Sequence, residues 1–329
     1  MVTMSSVLHI TNGDSVQIVD TGLEGEVLTW KDALHEGPVP GGLTLDELRP
    51  VRAHFLASFD HLTELEIIAD LERRDRTLAG FRERSEVVLW FEHDLYDQLQ
   101  LLQILDWFSR EDRGATRLSL ISTDTYLGPL RPAQLLALYP TRREVTPAQL
   151  DVASRAWSAF CAPDPRGLVP FSLDAVPELP YLPGAFERHL EEFPAAVNGL
   201  SRTERQILES AEGGASSAAA LFVACQKREE RIFMGDSIFF AHVRKLASVP
   251  VPLLRLIEPQ SDHGAFGKSQ VEITPHGSAV LHNAADHILL NGIDRWLGGV
   301  HLHCKPDDPR GLIWRWNGRD RQFESGQPT

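Results

Sequence analysis

Residues 86–91 read Glu-Val-Val-Leu-Trp-Phe, and this run constrains the fold more than any other stretch. Its apolar character is unbroken from Val87 to Phe91, which suits a strand buried on both sheet faces rather than one with a wet face. A crowd of polar side chains follows at once: Glu92, His93, Asp94, Asp97 and Gln98. Beyond it Leu95, Leu99, Leu102, Leu105 and Phe108 recur at helical spacing. A buried strand is therefore expected to hand over to an amphipathic helix through a turn rich in carboxylates.

The same alternation fills the first third of the chain. Residues 7–11, 26–30 and 117–123 read as further strands. Residues 14–22 read as a short helix, with Asp14 as its N-cap and Gly22 as its stop. A long helical region runs from Leu45 to about Arg84, with breaks expected near Pro50 and Asp60. Alternating strands and helices predict an α/β domain over 1–135: a mainly parallel, Rossmann-like sheet with helices on both faces. Residues 136–198 read as a helical and proline-rich connector. Thr146 and Pro147 supply an N-cap and a first helical position there, and prolines crowd 162–183.

Residues 199–329 read as a winged-helix-like domain. Ser201 and Glu204 form a capping box ahead of a first helix. Second and third helices are expected at about 216–226 and 236–247, then two strands at 253–258 and 270–275. Residues 273–281 read as the strand and turn that close the wing. The third helix carries Arg244 and Lys245 but also Asp236 and two phenylalanines, a poor set for reading bases. Trp296, Trp314 and Trp316 are expected in the core. His276, His282, His287, His301 and His303 form no recognised zinc spacing, and the placing of His301 and His303 on one face of a strand is no more than a slight metal signal.

Composition excludes several classes. No stretch approaches the ~20 apolar residues of a membrane span. The start, MVTMSSVLHITNGD, has no basic region followed by an apolar run, so no signal peptide is expected. Cys161, Cys225 and Cys304 are far apart and odd in number, which argues against a disulfide framework and for a reduced, cytoplasmic protein. The net charge is −14, and the excess is local. Residues 1–198 hold 17 Lys+Arg against 31 Asp+Glu, whereas 199–329 hold 15 of each. Nucleic-acid binding through the second part stays open but is not favoured by charge.

In a parallel α/β sheet, ligands bind beyond the carboxyl ends of the strands. The first strand end offers Asn12, Gly13, Asp14 and Ser15; the second offers Asp32, His35 and Glu36; the third offers Glu92, His93, Asp94 and Gln98. Each group also has a plain structural reading. Asp94 and Asp97 suit the first turn of a helix, where acids satisfy free N–H groups and the dipole. Asn12 to Ser15 suits a tight turn, and His35 and Glu36 suit a polar loop. The repetition at three successive strand ends is what favours a common site.

Three segments, HITNGDS (9–15), TWKDALHEGPVP (29–40) and VLWFEHDLYDQLQLLQILDW (88–107), together resemble the bacterial domain-of-unknown-function family 1835. The stretch IDRWLGGVHLH (293–303) is similar to the end of such proteins. The resemblance implies a bacterial cytoplasmic protein and brings no activity with it. From the residues themselves, the expected function is a hydrolase or transferase acting on a phosphate-containing or nucleotide-like small molecule. Asp14, Glu92 and Asp94 are the candidate ligands for Mg²⁺ or Mn²⁺, which prefer oxygen. Asp32, His35, Glu36 and His93 are the candidate acid–base groups, and Asn12, Gly13, Ser15 and Gln98 the candidate substrate contacts. The alternative is a ligand-sensing regulator, or an interaction protein whose strand-end acids only cap helices, with a winged-helix domain that binds DNA or a protein partner.

Overall fold

The computed structural model describes residues 7–59, 62–257, 266–306 and 313–326. The chain separates into two compact units, Met1–Phe186 and Glu187–Thr329. Among the described residues, no helix is long and apolar enough to cross a membrane.

The first unit is built on a five-stranded sheet of β1 (Val7–Asn12), β2 (Glu26–Trp30), β4 (Glu86–Phe91), β5 (Arg117–Ser122) and β6 (Arg143–Glu144). A two-residue strand, β3 (Gly37–Pro38), follows β2. The sheet order is β2-β1-β4-β5-β6. The first four strands are parallel, and only β6 runs antiparallel. The expectation of one mainly parallel sheet therefore holds. Every residue of β4 is buried, as its unbroken apolar run requires. Five apolar side chains there contribute roughly 1.5–3 kcal/mol each through burial.

Helices cover both faces. On one, Val88, Trp90 and Ile121 pack with Leu135 of α4 (Pro132–Leu138). On the other, Trp30 donates its indole N–H to Gln103 of α3 (Leu95–Ser109) at 2.9 Å. The guanidinium of Arg74, on α2 (Glu64–Ala79), lies 4.0 Å from the Trp30 ring centroid.

Two local expectations are corrected. Residues 14–22 form only a 3-10 turn at Val19–Thr21, closed by Gly22 with φ +77°. Val16 and Ile18 are buried in the sheet core, so the segment is spent on extended packing, and Asp14 pairs with Lys31 instead of capping. The helix α1 (Leu45–Leu56) runs through Pro50 without a break. It begins with a Thr44/Glu47 capping box and loses only the one N–H that proline lacks. The break falls between Leu56 and Glu64; Asp60 lies outside the described residues.

The stretch read as a connector is ordered. α5 (Pro147–Phe160) starts from Thr146 as its N-cap and packs along α3. A 3-10 turn at Pro165–Leu168, then α6 (Val169–Leu173), accommodate the prolines, and α7 (Leu182–Leu190) follows.

In the second unit, α8 (Arg202–Glu212) starts from the expected Ser201/Glu204 capping box. α9 (Ala218–Gln226), α10 (Asp236–Ser248) and the antiparallel pair β7 (Leu254–Ile257) and β8 (Gln270–Ile273) come next. The turn between these strands lies partly outside the described residues. Residues 275–281 are not a wing strand. They form the helix α11 (Pro275–Leu281), because the Thr274 hydroxyl accepts from Gly277 N at 3.0 Å and Pro275 fits the first helical position.

After α12 (His287–Asn291) come two antiparallel hairpins: β9 (Ile293–Gly298) with β10 (Val300–Cys304), and β11 (Ile313–Asn317) with β12 (Gln322–Gly326). Trp314 and Trp316 are buried as expected. Trp296 is only half-buried. Glu192 is fully buried and takes Arg188 at 2.7 Å and Arg295 at 2.8 Å. The three cysteines are buried, and none joins a disulfide among the described residues.

Candidate functional site

The carboxyl ends of β1 and β4 are neighbours in the sheet, since Thr11 pairs with Trp90. Asn12 and Glu92 thus emerge side by side, and α3 begins directly above them. Asp94 is the N-cap of α3 and accepts from Asp97 N at 3.1 Å. That bond turns the helix so that Asp97 points back under the strand ends. One Asp97 oxygen accepts from Glu92 N at 2.6 Å, and the other accepts from the Asn12 amide. Glu92 Oε1 accepts from Leu127 N at 2.7 Å, in the loop after β5. Gln98 donates to the Glu92 carbonyl at 2.5 Å, which braces the turn.

The result is a group of three buried carboxylates, Glu92, Asp94 and Asp97, each with an oxygen within 4.8 Å of the others. None of the three forms an ion pair among the described residues. Burial pushes the Glu92 carboxyl up, against the Leu127 amide that favours its charge. Burial also pushes Asp94 up to about 7, helped by the Glu92 charge. Asp97 is raised well above the ordinary range by burial, then by Asp94 and Glu92. Crowded carboxylates taken from water hold protons or recruit a cation. Asn12 adds an amide oxygen that is buried and accepts no hydrogen bond among the described residues.

The other expected site residues divide. His93 is buried beside the cluster, with its ring 5.0 Å from Tyr126 and 6.0 Å from Tyr181. Gly13 takes φ +56°, and open space surrounds the position a Cβ would fill. Ser15 lies against Gly128, where an added Cβ would meet its hydroxyl at 3.0 Å. The loops after β1 and β5 therefore touch over the strand ends.

Asp14, expected as a metal ligand, is not part of the cluster; it is exposed and ion-paired with Lys31. The chain leaves β1 through the left-handed Gly13 turn, and Asp14 comes out on the solvent side. Asp32 is held by Arg52 of α1 in a buried ion pair at 2.7 Å. The same guanidinium donates to the carbonyls of Ala33 at 3.0 Å and Glu36 at 2.8 Å. Arg52 thus ties down the whole loop after β2. His35 is buried, with its ring edge-on to Tyr96 at 5.9 Å. Glu36 is buried too.

Asp97 reads from the sequence as a helix-dipole acid, although it completes the cluster. Its position three residues after the Asp94 cap was a usable signal, because that position sits over the helix N-terminus. Tyr126, Tyr181 and the Leu127 amide carried no signal at all. No protein-family model matches the chain, and no curated protein matches it.

Proposed function

We propose that the first unit is a hydrolase or transferase for a phosphate-containing, nucleotide-like small molecule, working with Mg²⁺ or Mn²⁺ held by Glu92, Asp94 and Asp97. The observation that carries this reading is three buried carboxylates gathered at the carboxyl edge of a parallel sheet, with no ion-pair partner among the described residues. Mg²⁺ takes one or two carboxylates and completes its shell with water and substrate phosphate. The bound ion would supply charge neutralisation for the phosphoryl oxygens. Around it, Asn12 orients substrate, Gly13 lets backbone approach, and His93 is the group placed to carry a proton. Asp32 and Gln98 act as positioning residues through Arg52 and the Glu92 carbonyl. The resemblance to family 1835 is part of the same proposal, since its segments carry Asn12, Asp32 and Glu92.

We also propose a winged-helix-like character for 199–329. The order α8, α9, α10, β7, β8 supports it. The cations of α10 are already engaged: Arg244 lies 3.7 Å from the Phe266 ring centroid, and Lys245 donates to the Asp294 carbonyl at 3.2 Å. That favours protein contact over base reading for this helix.

The test is calorimetric titration of the chelator-treated protein with Mn²⁺, beside turnover of a panel of nucleotides and sugar phosphates. Parent protein should bind one Mn²⁺ and turn over at least one phosphate ester. Asp97→Asn should lose both. A parent that binds no Mn²⁺ and releases no phosphate would refute the reading.

A further inference from the structure

The β9–β10 hairpin carries an arrangement that the phosphate chemistry does not use. Its register sets His301 opposite Trp296 and His303 opposite Asp294. Alternate residues of a strand share a face, so these four side chains stand together. The opposite face, with Arg295, Leu297, Val300, Leu302 and Cys304, is buried. His301 Nε2 lies 2.8 Å from Asp294 Oδ1, and His303 Nδ1 lies 3.5 Å from Asp294 Oδ2. All three donors are exposed and within 4.8 Å of one another. Trp296 stacks on His301 at 4.5 Å between centroids, with the planes 3° apart. That contact fixes the plane of the imidazole.

Two imidazoles and a carboxylate form a donor set of defined taste. Magnesium and calcium avoid nitrogen, whereas Zn²⁺ and its neighbours accept imidazole and carboxylate together. A tetrahedral ion with ligands at ~2.0–2.1 Å sets neighbouring donors about 3.3 Å apart. His301 lies 2.8 Å from one Asp294 oxygen and His303 3.5 Å from the other, and one donor atom from each of the three residues falls within 4.8 Å of the rest. A cavity of about 220 Å³ adjoins the hairpin, bordered by Asp294, His303, Lys245 and Arg295.

We propose that Asp294, His301 and His303 form a three-ligand site for a Zn²⁺-class ion on the β9–β10 hairpin. The site is independent of the acidic cluster in the first unit and selects a different metal. Simple Asp–His hydrogen bonding is the competing account, and the two part on metal binding.

The test uses the untagged full chain, stripped with chelator and titrated with Zn²⁺ alone. The parent should bind one Zn²⁺ that tenfold excess Mg²⁺ does not displace. His301→Ala and His303→Ala should each abolish that binding while circular dichroism stays unchanged. Asp294→Asn keeps the shape and should weaken binding at least tenfold. Glu92→Gln should leave it intact, which separates this site from the acidic cluster. No Zn²⁺ binding by the parent would overturn the proposal. So would Zn²⁺ binding that survives both histidine substitutions.

Discussion

Replacing Asp94 with Asn isolates what it costs to keep three carboxyl groups together. Asn caps helices as well as Asp does, so the bond from Asp97 N is retained and only charge is removed. Burial and the nearby Glu92 charge hold the Asp94 carboxyl at about 7, against 3.8 for an ordinary aspartate. A displaced pKa corresponds to ~1.4 kcal/mol per pH unit. Ionised Asp94 at pH 8 therefore costs the fold about 4 kcal/mol. Its protons are shared with Asp97 and Glu92, so about 4 kcal/mol is an upper bound for this one side chain. The sign follows from the raised value. The contribution to stability is fully present below 3.8 and is lost as pH rises through about 7.

In the presence of chelator, Asp94→Asn should match the parent near pH 4 and exceed it increasingly up to pH 8. Hydrogen exchange of peptides spanning 86–109 reads this locally, because the opening free energy of β4 and α3 includes the cluster. Added Mn²⁺ should protect the parent at pH 8 and leave the variant unchanged. Equal protection of parent and variant at pH 4 and pH 8 would refute the account of the cluster.

Two further outcomes follow from buried ion pairs in the same unit. Arg52→Met should destabilise by about 3–5 kcal/mol, because it leaves Asp32 buried without its partner; thermal unfolding measures this, and a change under 1 kcal/mol would show that Asp32 does not depend on Arg52. Burial pushes the Glu86 carboxyl up, but Arg117, Ser119 and Arg142 outweigh it and hold the group down to about 2. Its stabilisation is present above pH 4.5 and lost as pH falls through 2, so Glu86→Gln should cost about 2 kcal/mol at pH 7 and progressively less on acidification, as followed by urea unfolding.

The fold was legible where one local signal sufficed. The apolar run of β4 could only be a doubly covered strand, and Thr146, Ser201 and Asp94 each announced a helix start through a cap. Residues 273–281 show how such a signal goes unread. Thr274-Pro275 repeats the Thr146-Pro147 signature, yet the expectation of a wing outweighed it. Pro50 misled in the other direction, because tertiary packing of α1 carries a helix past the one bond proline removes. The site was half legible. Strand ends pointed to Asn12, Glu92 and Asp94, since their chain positions alone place them on one edge. Asp97 joins through Asn12, 85 residues away, and no periodicity reports such a bond. Asp14 and Asp32 show the reverse, since a neighbouring Lys31 or Arg52 decides where a carboxylate points.

The shortness of β6 has a consequence for how the chain behaves in company. It adds only two residues to the sheet, Arg143 and Glu144, which pair with Leu120 and Ser119 of β5. Both are exposed and oppositely charged. A strand from another molecule approaching this margin finds too little backbone to register against and must bury two charges to do so. An open edge of that kind is where sheets stick to one another during folding. By ending the sheet in an antiparallel stub of Arg and Glu, the chain shields the apolar β5 from becoming a template for aggregation.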